Sequence, residues 1–132
     1  MNANAVKLKV KHLVVAEHNQ TGKKGEAMAV EYFREKKYEI LHQNWRHGHW
    51  EVDIIASHNG ILHFIEVKTR SSLLFGYPEE NVNKQKIQYL LNASAAFLYL
   101  NPQWQRIQFD ILSVNLHKDK PAELFLIEDI YI

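Results

Sequence analysis

The dipeptide Asn59-Gly60, set between two runs of β-branched and aliphatic residues, constrains this chain more than any other feature. Both residues tolerate positive φ, which a two-residue type I′ turn demands at its two central positions, so the pair marks a β-hairpin. Its arms read Glu51-Val52-Asp53-Ile54-Ile55-Ala56 before the turn and Ile61-Leu62-His63-Phe64-Ile65-Glu66-Val67-Lys68-Thr69-Arg70 after it. With Asn59 and Gly60 as the loop, His58 pairs with Ile61, Asp53 falls opposite Glu66, and Glu51 falls opposite Lys68. Residues directly across an antiparallel pair share a face, with Cβ atoms roughly 5 Å apart. Two carboxylates so placed repel unless something positive sits between them. A slip of one residue would set Asp53 against Ile65 or Val67 and break the facing pattern of both strands. A divalent cation is the natural occupant of such a pair.

The 132 residues suit a single domain with a real core, and 46% hydrophobic with 23% charged residues is the balance of an ordinary globular protein. A net charge of +1 neither demands nor excludes nucleic acid, because a local basic stripe matters more than the total. Without cysteine there is no disulfide framework and no thiolate ligand or nucleophile. No signal peptide is read at the N-terminus and no apolar run approaches spanning length, so a cytoplasmic protein with no membrane partner is expected.

In chain order, residues 1–20 read as a basic extension and residues 21–132 as one domain. Val6, Leu8 and Val10 alternate with lysines, as in a strand with one wet face; a basic arm touching phosphate is the alternative. From Thr21, a plausible N-cap, to Lys37 the pattern is helical, with Ala29, Val30 and Phe33 on one stripe. Glu26 projects from that inward stripe, although a carboxylate near a helix start is also favoured by the helix dipole. Gly25 permits close approach of another segment. Tyr38 to Arg46 reads as a strand with Tyr38, Ile40 and His42 on one face, and His47-Gly48-His49 as the turn into the hairpin. Residues 71–78, with two serines, Gly76 and Pro78, read as a loop. A second helix capped by Asn83 runs to about Leu100 and buries Ile87, Leu90, Leu91, Ser94 and Leu98; Asn101-Pro102 stops it. Trp104 to Leu116 reads as a strand whose apolar face switches at Ile111-Leu112, which a bulge or two short strands would explain. Glu123 to Ile132 forms the last strand. The order predicts an α/β fold: a mixed sheet of about five strands flanked by two main helices.

Glu26, Asp53, Glu66 and Lys68 can thus converge from three elements. Hard oxygen ligands without cysteine select Mg²⁺ or Mn²⁺. Lys68, on the face of Glu66, can orient an attacking water or stabilise charge in the transition state. Arg70 and Lys86 can meet phosphate, and Tyr77 or Phe75 can stack on an unpaired base. Each has a plainer role as strand end, packed stem or loop anchor. His47-x-His49-x-Glu51 admits a Zn²⁺ site, a weaker reading because histidines beside a turn glycine are usually surface residues.

Asp53 followed by Glu66-Val67-Lys68 resembles the PD-(D/E)XK nuclease signature, and Glu26 on a preceding helix is similar to the extra acid of its Holliday-junction-resolvase-like branch. The wider run is closest to the YraN-like bacterial family. Its pieces are Gly22, Gly25-Glu26, Ala29, Gln43-Asn44-Trp45-Arg46, Glu51 to Ala56, Phe64 to Arg70, Phe75-Gly76-Tyr77-Pro78, Lys86 and Phe109-Asp110, across roughly residues 18–115. The resemblance implies a restriction-endonuclease-like core, with Asp53, Glu66 and the backbone carbonyl of Val67 as metal ligands. It further implies that Lys68 assists the attacking water and that Glu26 completes the acidic site. Val52 stands where the superfamily's name has proline, and the N-terminal extension lies outside the pattern. The expected activity is Mg²⁺- or Mn²⁺-dependent hydrolysis of DNA phosphodiesters on branched or structured DNA, with a homodimer as the candidate assembly. A binding module on the same fold that does not cut, and an adaptor using the 71–78 loop, are the rival readings.

Overall fold

The computed structural model describes residues 20–71 and 84–130. Residues 20–35 are helical (α1), followed by β1 Glu39–His47, β2 Trp50–His58, β3 Ile61–Ser71, α2 Lys84–Leu100, β4 Ile107–Leu116 and β5 Glu123–Ile127. The readings placed on the N-terminal extension, the 71–78 loop beyond Ser71, Asn83 and the last two residues lie outside the described residues.

Helix α1 forms on the expected stripe, with Ala29, Val30 and Phe33 buried. Thr21 is not its cap, because Gln20 is already helical. The helix ends in a Schellman motif: Tyr38 N–H donates to Phe33 O at 2.9 Å and Lys37 N–H to Arg34 O at 3.0 Å. Lys37 takes the left-handed position at φ 69°, and Tyr38 packs edge-on against Phe33 with ring centroids 4.9 Å apart. That contact turns the chain directly into β1.

The strands lie in sequence order, β1-β2-β3-β4-β5. All neighbours are antiparallel except β3 and β4, which run parallel and are joined through α2. This is a mixed five-stranded sheet with a helix on each face, consistent with a restriction-endonuclease-like core. On one face α1 packs with Tyr38, Ile54, Ala56, Ile65, Leu112 and Val114. On the other, α2 packs Leu90, Ala93 and Phe97 against Val52, Ile55, Leu62 and Phe64.

Three local expectations change. Strand β4 pairs with β3 without a break from Leu62↔Ile107 to Ser71↔Leu116, so neither a bulge nor a split exists there. Its apolar residues occupy both faces because the strand is central in a sheet covered on both sides. Instead the irregularity falls in β1 between Ile40 and His42. It sends Leu41 to the α2 side and lets His42 meet Phe97, rather than leaving His42 beside Ile40. Helix α2 buries Leu90, Ala93, Ser94 and Phe97, with Ile87, Leu91 and Leu98 only partly covered. Small Ala93 and Ser94 sit closest to the sheet, and Phe97 fills the space against Phe64.

Candidate functional site

Asn59 and Gly60 both adopt positive φ, 52° and 78°, and His58 pairs with Ile61. The hairpin therefore has the register that its turn chemistry dictates. Ladder pairing runs as far as Ile54↔Ile65, one step short of Asp53 and Glu66. There β2 twists. Val52 and Ile54, two apart and expected on one face, belong to the α2-side and α1-side clusters respectively. Val67 N–H then donates to Asp53 Oδ2 at 2.8 Å. The carboxylate replaces the strand as partner for that donor.

Asp53 and Glu66 lie on the same side, close enough for their side chains to hydrogen-bond each other. Burial, then the charge of Glu66, push the Asp53 carboxyl up to about 8, against the opposing pull of the Val67 N–H. Burial also raises Glu66, partly offset by Lys86 and Lys68. Lys68 is driven down by burial and by Lys86, whose ammonium is within hydrogen-bonding range. Two half-buried acids held close in one cleft, with amines beside them, are the arrangement expected of a functional site.

Glu26 reaches this region because α1 docks tightly on β3. A Cβ added at Gly25 would lie inside the Thr69 side chain, 2.6 Å from Cγ2 and 2.7 Å from Cβ. The negative charge of Glu26 contributes to the upward shift of Asp53. Arg70 acts electrostatically on Lys68, and Lys86, in the first turn of α2, lines the cleft. Tyr77 lies outside the described residues. Glu51 does not engage Lys68. It forms an ion pair with Arg46, its ladder partner in β1, at 3.2 Å, because β2 has left β3 by this point.

The cleft, of ≈ 200 Å³, is lined by His49, Glu51, Asp53, Glu66, Lys86 and Tyr89. Sequence reasoning missed His49 as a cleft residue, and Tyr89 altogether. Tyr89 sits three residues after Lys86, hence on the same helix face, which was the available signal. Among the described residues no group of three His, Asp or Glu side chains is drawn together as a ready-made metal-ligand set. The zinc reading of His47, His49 and Glu51 fails on that ground: their imidazoles lie against Trp50 instead.

Asp110, part of the Phe109-Asp110 piece of the family pattern, lies away from the cleft. It is fully buried on the α1 side, where Oδ2 accepts from His63 Nδ1 at 2.7 Å. Its Oδ1 accepts from Gln108 Nε2 and from Asp129 N–H, each at 2.9 Å. Burial alone would raise Asp110, but these donors hold it below the ordinary carboxylate value. His63 and Glu66, three apart on β3, point to opposite faces. This network ties the segment after β5 to the sheet.

No described helix is long and apolar enough to cross a membrane. Residues 25–114 match the model of "Uncharacterised protein family UPF0102". A UPF0102 protein of Bacteroides thetaiotaomicron is 46% identical over 100 residues, covering 76% of this chain and 83% of its own. One from Flavobacterium johnsoniae is 42% identical over 118 residues, covering 86% and 93%, and one from Chloroherpeton thalassium is 38% identical over 118, covering 83% and 92%. The matched span contains Glu26, Asp53, Glu66, Lys68 and Lys86, and on that span this chain belongs to the UPF0102 family, the YraN-like group.

Proposed function

We propose that this protein hydrolyses phosphodiester bonds in DNA, branched or structured DNA in particular, with Mg²⁺ or Mn²⁺ bound. One observation carries the reading: Asp53 and Glu66, both half-buried, line one cleft, with Asp53 fixed there by the Val67 N–H at 2.8 Å; loss of solvent and their mutual charge push the Asp53 carboxyl up to about 8. A divalent cation in place of the carboxyl proton relieves both the repulsion and the burial cost. The donor set fits such an ion, since two hard carboxylates and a backbone carbonyl leave a Mg²⁺ its preferred complement of waters. Asp53, Glu66 and the Val67 carbonyl would hold it. When bound, it lowers the pKa of a coordinated water and stabilises charge developing on phosphorus.

The chain's own residues supply the rest. Asp53 stays in place because it also satisfies Val67 N–H. Lys68, beside Glu66 and held below the ordinary lysine value by burial and by Lys86, would orient the attacking water or stabilise developing charge. Lys86 and Arg70 add the positive field that draws a phosphate to an acidic cleft. Glu26 adds negative charge on the α1 side, strengthening attraction for a cation.

The test is Mn²⁺-supported cleavage of linear, flapped and four-way DNA, with Glu66→Gln as control. Cleavage that falls at least roughly 100-fold in the variant supports the reading. Salt-dependent DNA binding with no cutting of any form favours the non-cleaving module, for which the Lys68, Lys86 and Arg70 field would suffice.

A further inference from the structure

We propose that the run of stacked aromatic rings bordering the carboxylate cleft is a platform for unpaired bases, so that the nucleic acid taken there carries a single-stranded stretch beside the phosphate in the cleft. This rests on the reading of the cleft as a nucleic-acid site.

The run is continuous. Trp45 stands edge-on against buried Phe97, with centroids 5.3 Å apart, which anchors it to the core. His47 stacks with Trp45 at 6.1 Å and 11°, and Trp50 with His47 at 6.2 Å and 24°. His49 meets Trp50 at 5.5 Å and Tyr89 at 5.4 Å. His49 and Tyr89 are themselves walls of the cleft that contains Asp53 and Glu66. The rings therefore lead from a fixed base to the acids.

Hairpin stability accounts for part of this, since His47 and Trp50 are cross-strand partners beside the Gly48-His49 turn. It does not account for the His49 contact to α2, nor for two histidines kept exposed on an apolar surface. Exposed His47 and His49, backed by the half-buried rings of Trp45, Trp50 and Tyr89, offer every base the same π surface, irrespective of sequence. Bases inside a duplex present edges only, so a duplex gains nothing from the platform. Lys86, which lines the cleft, supplies a cation for the phosphate there.

The experiment uses the full chain carrying Glu66→Gln, with fluorescein-labelled oligothymidylate and a blunt duplex of equal length. Anisotropy is read in the presence of EDTA, and intrinsic tryptophan fluorescence is followed in parallel. Oligothymidylate is expected to bind more tightly than duplex and to quench the tryptophans. His47→Ala, at an exposed position, and Trp50→Ala should each weaken oligothymidylate binding about tenfold and leave duplex binding unchanged. Trp50→Phe, which keeps a ring in place, should restore most of it. Equal losses on both polymers, or none on either, would overturn the platform. Failure of the hydrolysis reading looks different. Tight, ring-dependent oligothymidylate binding, with no Mn²⁺-dependent cutting by the native chain, keeps the platform and removes the nuclease. Cutting of blunt duplex and oligothymidylate alike, both unaffected by His47→Ala, keeps the nuclease and removes the platform.

Discussion

Asp53 Oδ2 accepts the N–H of Val67 at 2.8 Å, just beyond the last ladder pair of the hairpin, Ile54 with Ile65. The bond fixes a carboxylate beside Glu66 that electrostatics alone would drive away. If Asp53 swung outward, a partly buried backbone donor would lose its partner. Local backbone geometry thus holds a charge arrangement that is unfavourable in itself.

Substituting Asp53 by Asn keeps an acceptor for Val67 N–H and removes the charge. The metal-free protein should be as stable as the parent or more so, by about 1–3 kcal/mol at pH above 8. Any stabilisation by Mg²⁺ or Mn²⁺ should vanish. Urea denaturation with and without Mn²⁺ measures both. A variant clearly less stable in EDTA would make Asp53 a structural partner rather than a ligand.

Metal-free stability should depend on pH with a definite sign. The folded chain keeps a proton on Asp53 up to about pH 8, whereas an unfolded aspartate releases it near its ordinary value of 3.8. The folded state therefore binds more protons between these limits. Stability falls as pH rises across that window and levels off above it. Glu66, also raised, acts in the same direction. Because a cation displaces the proton, Mn²⁺ affinity should rise over the same window. Denaturation midpoints at about pH 6 and about pH 9 check the slope; a parent that gains stability toward the higher value contradicts it.

Asp110 makes the opposite contribution. Its depressed value means that its stabilisation is present above the ordinary carboxylate range and is lost as pH falls through its folded value. Asp110→Ala leaves His63, Gln108 and the Asp129 N–H without their acceptor and should cost about 3 kcal/mol. Cleavage per folded molecule should be unaltered, since Asp110 lies on the other face of the sheet from Glu66. A large loss of rate at full folding would assign Asp110 to the site after all.

Gly25→Ala should cost about 1–3 kcal/mol, because α1 must lift from Thr69. It should also weaken Mn²⁺ binding by withdrawing Glu26. Thr69→Ala removes Oγ1 and Cγ2, leaving only the contact at 2.7 Å to Cβ, so the double variant should recover part of both losses. Strictly additive effects would mean that the two residues do not set the docking distance.

What was legible in the sequence is what neighbours along the chain decide. Turn chemistry at Asn59-Gly60 sets the register as far as Ile54 opposite Ile65, one step from Asp53 and Glu66, before any fold is known. The stripe of Ala29, Val30 and Phe33 likewise specifies the buried face of α1. Residues that meet only after distant segments pack were not legible. Glu51 finds Arg46 rather than Lys68 because β2 turns away from β3 at Asp53, and Tyr89 and His49 meet because α2 crosses back over the hairpin. The role of Asp110 cannot be read from its neighbours along the chain. Asp110 becomes a buried anchor once β4 lies parallel to β3 and His63 reaches it. Alternation and turn preference act over two or three residues, so a sequence displays them directly. Which charges end up facing each other depends on burial across the sheet, and that free energy exists only in the assembled fold.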